Sequence, residues 1–408
     1  MRYHIGMNPL RKAYCRIFQT VFRLAIPLLP YRKPEILPGL DRVPQVLKAE
    51  NAGSVLIITD KSIRRLGLLD GLEETLGKAG ISFTVYDGTV ANPTTDNVEE
   101  AFALYKEKGC QALIGFGGGS SMDAAKAVGA RAANPRKPLS KMKGILRVRR
   151  RLPPLIAVPT TAGTGSETTL AAVIVDSATR HKYVINDFPL IPHYAVLDPS
   201  VTLSLPASVT ASTGMDALTH AVEAYIGRST TKETRAEALE AVSLIFSNLP
   251  QACRNGKDSE ARRNMLKAAY LAGAAFTKSY VGYVHAVAHS LGGEYNVPHG
   301  LANAVLLPFV LEEYGSVCDA KLKRLAIAAG VAQEDTPEDT AAKAFIKSIK
   351  QMKEELGIPD TIPELKEEDI PKLAAYADSE GNPLYPVPVL MDKKELEKLY
   401  RRVLEVKG

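Results

Sequence analysis

This chain of 408 residues has no paired cysteines, no unbroken membrane-length apolar run and neither of the usual glycine fingerprints for nucleotide binding. Each absence removes a class of function. The cysteines, Cys15, Cys110, Cys253 and Cys318, lie far apart with no C-x-x-C pair. That excludes a thiolate metal clamp or dithiol redox couple and leaves histidine and carboxylate as the available metal ligands. Nothing in the count requires an oxidising compartment. The most apolar candidate span, residues 13–30, is interrupted by Arg16, Arg23 and Pro27 and falls short of the ~20 residues a bilayer helix needs. The same interruptions, with no small-residue cleavage site after them, argue against a signal peptide. A cytoplasmic location is the expectation. With 46% hydrophobic and 24% charged residues, 30 glycines and 26 prolines, disorder and collagen-like repeats are excluded, and the length favours two or three domains over one, with two the expectation.

Acidic side chains are also missing where the charge is concentrated. Residues 1–33 hold Arg2, Arg11, Lys12, Arg16, Arg23, Arg32 and Lys33 with no acid, and residues 136–151 hold eight further cations with none. Setting those fifteen aside from the 51 basic residues leaves 36 against 45 acids, so an acidic body carries two strongly basic segments. Such segments are most simply solvated or subunit-contact surface, and they also suit an anionic ligand.

What is present is a βαβ rhythm followed by helices. Residues 54–59, 82–86, 112–116 and 154–158 read as buried strands, with amphipathic segments near 62–79, 97–109 and 120–132 between them, the pattern of a parallel sheet covered by helices. A two-stranded excursion occupies about 170–197. From about residue 205 an alanine-rich helical pattern runs to the C-terminus. We therefore expect an α/β domain over 1–204, with 1–35 as an N-terminal extension, and an all-α domain over 205–408.

Two loops can carry a ligand in the first half. Gly117, Gly118 and Gly119 follow an apolar run and lead through Ser120 into a helix, so backbone can approach an anion at a helix N-terminus; tight packing is the alternative reason for the glycines. The run Pro159 to Thr169, which includes Thr160 and Thr161, is a second small, hydroxyl-rich loop after a strand. Ligands of open α/β sheets bind at such strand ends. Asp60 closes the first of these strands and either accepts a ribose hydroxyl or caps the helix beginning at Lys61.

In the second half, Asp216 and His220 are four residues apart in a helical context, His285 and His289 repeat that spacing, and His299 follows in P-H-G, which reads as a loop. One carboxylate and three imidazoles delivered in this way suit a divalent transition metal, although each imidazole alone reads as an ordinary core or surface group. His285-Ala-Val-Ala-His289 lacks the glutamate of a zinc-protease helix. Glu223 reads first as a solvated helix acid, and alternatively as a partner that orients an imidazole.

The segments GFGGGSSMDAAKAV, PTTAGTGSETT, DPSVTLSLP, TGMDALTHAVEAYI and HAVAHSLGGEYNVPHGLANAVLLP together resemble the iron-containing, or group III, alcohol dehydrogenases, over about residues 40–390. The resemblance implies that family's architecture, which is dehydroquinate synthase-like: a dinucleotide-binding α/β domain and a helical domain, with cofactor and metal meeting between them. It makes Asp216, His220, His285 and His299 metal ligands and places His289 near the nicotinamide as a positioning or proton-relay residue. Gly118, Gly119 and Ser120 match the pyrophosphate loop, Thr160, Thr161 and Thr169 further cofactor contacts, and Asn92 and Lys182 cofactor-side positions. Asp60 matches an acid that favours NAD over NADP.

The implied activity is hydride transfer between a primary or short-chain alcohol or aldehyde and NAD. The implied metal is Fe(II), with Zn(II) or Mn(II) compatible with the same donors. A homodimer or larger homo-oligomer is expected, with no nucleic acid partner and no stable membrane insertion. Rival readings are a polyol dehydrogenase, a dehydroquinate-synthase-like lyase, or a nucleic-acid or membrane binder acting through the basic segments.

Overall fold

The computed structural model describes residues 7–179 and 181–405; Arg2 and His4 lie outside them. The chain forms two compact units, one comprising Pro30–Leu205 and the other combining the N-terminal residues through Leu29 with the chain from Pro206 onward.

Among the described residues the α/β unit contains nine strands: β1 Glu35–Leu37, β2 Ser54–Ile58, β3 Ser82–Tyr86, β4 Ala112–Gly117, β5 Gly144–Ile145, β6 Leu155–Pro159, β7 Ala171–Val175, β8 Lys182–Asn186 and β9 Tyr194–Val196. Six form one sheet in the order β1-β9-β6-β4-β2-β3, with every pairing parallel. The central strands β4 and β6 are buried along their whole length, which is why they read as continuous apolar runs rather than as alternation. The remaining three form a small separate sheet, β5-β8-β7, with β7 and β8 antiparallel, the excursion expected near 170–197. The helix expected over 62–79 is two, Lys61–Arg65 and Asp70–Lys78, separated by a turn in which Gly67 takes a positive φ of 67°.

After β3, on one side of β2, the chain crosses back to place β4 on its other side. This reversal puts the ends of β2 and β4 side by side, where α/β sheets bind ligands.

The helical unit carries the helices Ala207–Ile226, Lys232–Arg254, Ser259–Ser279, Tyr283–Tyr295 and His299–Tyr314, followed by four more through Val403. The α/β domain with a parallel six-stranded sheet and the all-helical C-terminal domain agree with the sequence reading. The N-terminal extension does not. Residues 7–29 belong to the helical unit because the helix Pro9–Ala25 is bonded to it: Arg11 pairs with Asp378 through two contacts of 2.9 Å, Arg16 donates to the carbonyls of Val387 and Pro388, and Gln19 donates to those of Pro383 and Tyr385. From Pro30 the chain joins the α/β unit, where Arg32 donates to the carbonyl of Pro192 and β1 pairs with β9.

One stretch among the described residues, His299–Ala328, is long and apolar enough to cross a membrane by composition. Residues 13–30 are therefore not the most apolar candidate. Most of the stretch is buried, because its first helix lies within the core and its apolar residues face protein on every side.

Candidate active site

Three helices of the helical unit each contribute a pair of residues spaced i, i+4: Asp216 and His220, His285 and His289, His299 and Asn303. That spacing stacks two side chains on one helix face. Asp216, His220, His285 and His299 each aim one ligand atom at a common point, and these atoms lie within 4.8 Å of one another. The first three are buried and His299 is half-buried. Asp216 Oδ1 is 3.6 Å from His299 Nε2, close to the spacing of neighbouring ligands around a tetrahedral ion with bonds of about 2.0–2.2 Å.

The electrostatics suit a cation. Burial, and then the neighbouring histidines His220, His299 and His289, drive His285 well below its ordinary pKa, so its imidazole stays neutral. His285 Nδ1 lies 2.6 Å from Glu223 Oε2, which assigns the proton to Nδ1 and leaves the Nε2 lone pair facing inward. The Asn303 amide nitrogen stands 2.7 Å from Asp216 Oδ1, 3.2 Å from His285 Nε2 and 3.1 Å from His299 Nε2. A donor placed among three acceptors in this way shows the polarity that a metal ion would satisfy.

Glu223 corrects the sequence reading. It is buried rather than solvated, and it also accepts from the backbone N–H groups of Gly282 and Val284, both at 2.8 Å. Burial pushes its carboxyl up to about 7 against the lowering effect of those N–H groups. His289 is exposed, stacks on His299 with ring centroids 5.1 Å apart, and places Nδ1 2.6 Å from Glu380 Oε1, which also accepts from the Tyr385 hydroxyl. Burial acts to raise the Glu380 carboxyl, but the charge and hydrogen bond of His289, with Tyr385, outweigh it and hold it below its ordinary value.

Within the α/β unit a cleft of about 450 Å³ opens at the strand-order reversal, lined among others by Asp60, Lys61, Gly118, Gly119, Ser120 and Ser121. The helix Gly119–Ala133 begins there without a side-chain cap or an acid in its first turn, leaving N–H groups for an anion. Gly117, at φ 145°, is required by conformation and space, since a Cβ there would lie 2.6 Å from Ser121 Oγ. At Gly118 a Cβ would meet nothing nearer than Thr161 at 3.7 Å, so the protein's own packing does not demand glycine there, whereas close approach of a ligand would.

Asp60 does both things the sequence allowed. Its Oδ1 caps the following helix through the N–H groups of Ser62 and Ile63, while the residue lines the cleft. Asn92 donates its backbone N–H to Ser120 Oγ and accepts from Lys182 Nζ at 2.7 Å, so these three residues are joined at one place. Thr160 is buried, with its N–H on the Gly117 carbonyl, and Thr161 stands beside Gly118. Thr169 points elsewhere: its hydroxyl accepts from Lys126 Nζ at 2.8 Å. Lys126, a residue the sequence did not single out, is fully buried and also donates to Ser166 Oγ and the Ala171 carbonyl.

Comparison with known proteins accounts for both halves. Residues 38–199 match the family model for iron-containing alcohol dehydrogenase, and residues 210–404 match that for the C-terminal part of the Fe-containing alcohol dehydrogenase family. The chain belongs to the iron-containing alcohol dehydrogenase family. Like other members of that family it is an oxidoreductase. It is 39% identical over 351 residues to the 1,3-propanediol dehydrogenase of Citrobacter freundii, covering 85% of this chain and 90% of that one. It is 38% identical over 336 residues to the NAD-dependent methanol dehydrogenase of Bacillus methanolicus, covering 81% and 87%. The crystal structure of a 1,3-propanediol oxidoreductase superposes with a TM-score of 0.88 at 36% identity, covering 92% of this iron-containing alcohol dehydrogenase and 99% of the other chain.

Proposed function

We propose that the protein transfers hydride between a primary or short-chain alcohol, or the corresponding aldehyde, and NAD, using a divalent ion held by Asp216, His220, His285 and His299. The convergence of those four ligand atoms within 4.8 Å carries the reading. Iron is the ion the family points to, and zinc or manganese satisfies the same donors.

A divalent ion there supplies Lewis-acid polarisation of the substrate oxygen, and NAD carries the hydride. The protein does the rest. Glu223 holds His285 in the tautomer whose Nε2 faces the cage, and Asn303 anchors the Asp216 carboxylate. His289, exposed and braced by Glu380, offers the hydroxyl proton a route to solvent. In the α/β unit, Gly118, Gly119 and Ser120 receive the pyrophosphate at the open helix N-terminus. Asn92, Thr160, Thr161 and Lys182 flank that loop, Thr169 braces it through Lys126, and Asp60 accepts a ribose hydroxyl and repels a 2′-phosphate. Assembly as a homodimer or larger homo-oligomer belongs to the same reading and is checked by light scattering.

Chelator-stripped protein is expected to show little NAD-linked oxidation of a panel of methanol, ethanol, 1,3-propanediol and glycerol, and to regain it on adding Fe(II) or Zn(II), read as NADH absorbance. His285→Ala should not respond to metal. Stripped wild type as active as the metal-loaded protein, or His285→Ala restored by metal to the wild-type level, would sink the metal role, and turnover without net NADH would favour a lyase.

A further inference from the structure

The N-terminal helix Pro9–Ala25 is amphipathic with its apolar side outward. Polar groups carry much of its attachment to the helical unit: Arg11 on Asp378, Arg16 on the Val387 and Pro388 carbonyls, Gln19 on those of Pro383 and Tyr385. On the other side stand Leu10, Tyr14, Ile17, Val21, Leu24 and, just beyond the helix, Leu28. Their alternating spacing of four and three residues stacks them in one stripe. They are between 58 and 86% exposed. An apolar stripe of this extent on a folded surface marks an interaction site.

Charge identifies what the stripe meets. The helix carries no acid; Arg11 is answered by Asp378 and Arg16 by backbone carbonyls, which leaves Lys12 and Arg23 as its exposed cations. A second copy of this segment would bring further cations and no counter-charge. Anionic headgroups supply that counter-charge, and an acyl boundary accepts the stripe. We propose that this helix docks the protein peripherally on an anionic lipid surface, lying in the headgroup plane with the stripe from Leu10 to Leu28 entering the acyl region. Because the contacts of Arg11, Arg16 and Gln19 already hold the stripe outward, docking needs no unfolding. The 17-residue helix is about 25 Å long and lies on the membrane rather than spanning it.

Flotation of the full chain with vesicles containing roughly one-third phosphatidylglycerol, against pure phosphatidylcholine vesicles, tests this directly. The wild type should float with the anionic vesicles, roughly tenfold less with the neutral ones, and be largely released by about 0.5 M salt. The double variant Ile17→Asp/Leu24→Asp should stay in solution with an unchanged circular dichroism melt. Lys12→Glu/Arg23→Glu, which keeps the stripe, should also lose binding. Wild-type protein that stays in solution, or that floats equally with both vesicle types, overturns the proposal, as does flotation of Ile17→Asp/Leu24→Asp at the wild-type level. A wild type that does not float, combined with a halved mass of the double variant by light scattering, overturns it in favour of a contact between copies of the chain.

Discussion

Glu223 Oε2 lies 2.6 Å from His285 Nδ1 while the N–H groups of Gly282 and Val284 donate to the same carboxylate. All the carboxylate's partners here are donors, so it fixes both the orientation of the imidazole and the position of its proton. Glu223→Gln exchanges one acceptor oxygen for an NH2 that faces backbone N–H groups. The expected outcome is metal affinity lower by roughly 10–100-fold, measured by competition with a chelator, in a protein that still folds. Unchanged affinity would show that Glu223 only packs.

Asp60 Oδ1 caps the helix at Ser62 and Ile63, and the residue lines the cleft. Asp60→Asn keeps a capping oxygen and removes the charge. Use of NADP, read as kcat/KM with a fixed alcohol, should rise about tenfold, the scale of one charge–charge repulsion of about 1 kcal/mol screened by water, with little change in Tm. No change in the NADP to NAD ratio would remove Asp60 from the specificity argument.

Both the sheet and the metal cage could be read from sequence because each rests on a local period. Fully buried strands such as Ala112–Gly117 and Leu155–Pro159 appear as apolar runs, and the i, i+4 pairs at Asp216/His220 and His285/His289 announce side chains on one helix face. Asn303, four residues after His299, carried the same signal and went unread. Glu380 had none, since it reaches His289 across 91 residues of chain. Glu223 misled because an acid on a helix is usually solvated; only the tertiary position of Gly282 and Val284 brings donors to it. The N-terminal helix was assigned to the wrong unit for a related reason. Its partners, Asp378 and the carbonyls between Pro383 and Pro388, lie at the far end of the chain.

Lys126 ties the second hydroxyl-rich loop to the helix that begins at the glycine turn, through Ser166, Thr169 and the Ala171 carbonyl. Burial lowers its ammonium to about 8, against the raising effect of Asp123 and Glu167. Lys126→Met leaves those acceptors unanswered inside the protein. We expect a loss of about 3 kcal/mol, the lower end for removing one partner of a buried charged cluster, in urea unfolding followed on the α/β unit. A several-fold higher KM for NAD should accompany it, with KM for alcohol little changed. A stability within about 0.5 kcal/mol of wild type would show the cluster to be dispensable.

His193 Nδ1 accepts the backbone N–H of Leu155 at 3.1 Å, which requires that nitrogen to be unprotonated. Burial, and then Arg32 and Arg151, lower its pKa from 6.5 to about 4 in the folded protein. Between those two values the unfolded chain binds a proton that the folded chain does not. Stability from this residue is therefore complete above about pH 6.5 and drains away as the pH falls toward about 4. His193→Asn keeps an acceptor near the Nδ1 position and cannot titrate. Thermal melts should show the wild type losing more Tm than His193→Asn between about pH 7 and pH 4.5, the difference isolating this imidazole from the carboxylates that titrate in both proteins. Parallel Tm profiles would place the acid sensitivity elsewhere and leave His193 a packing residue only.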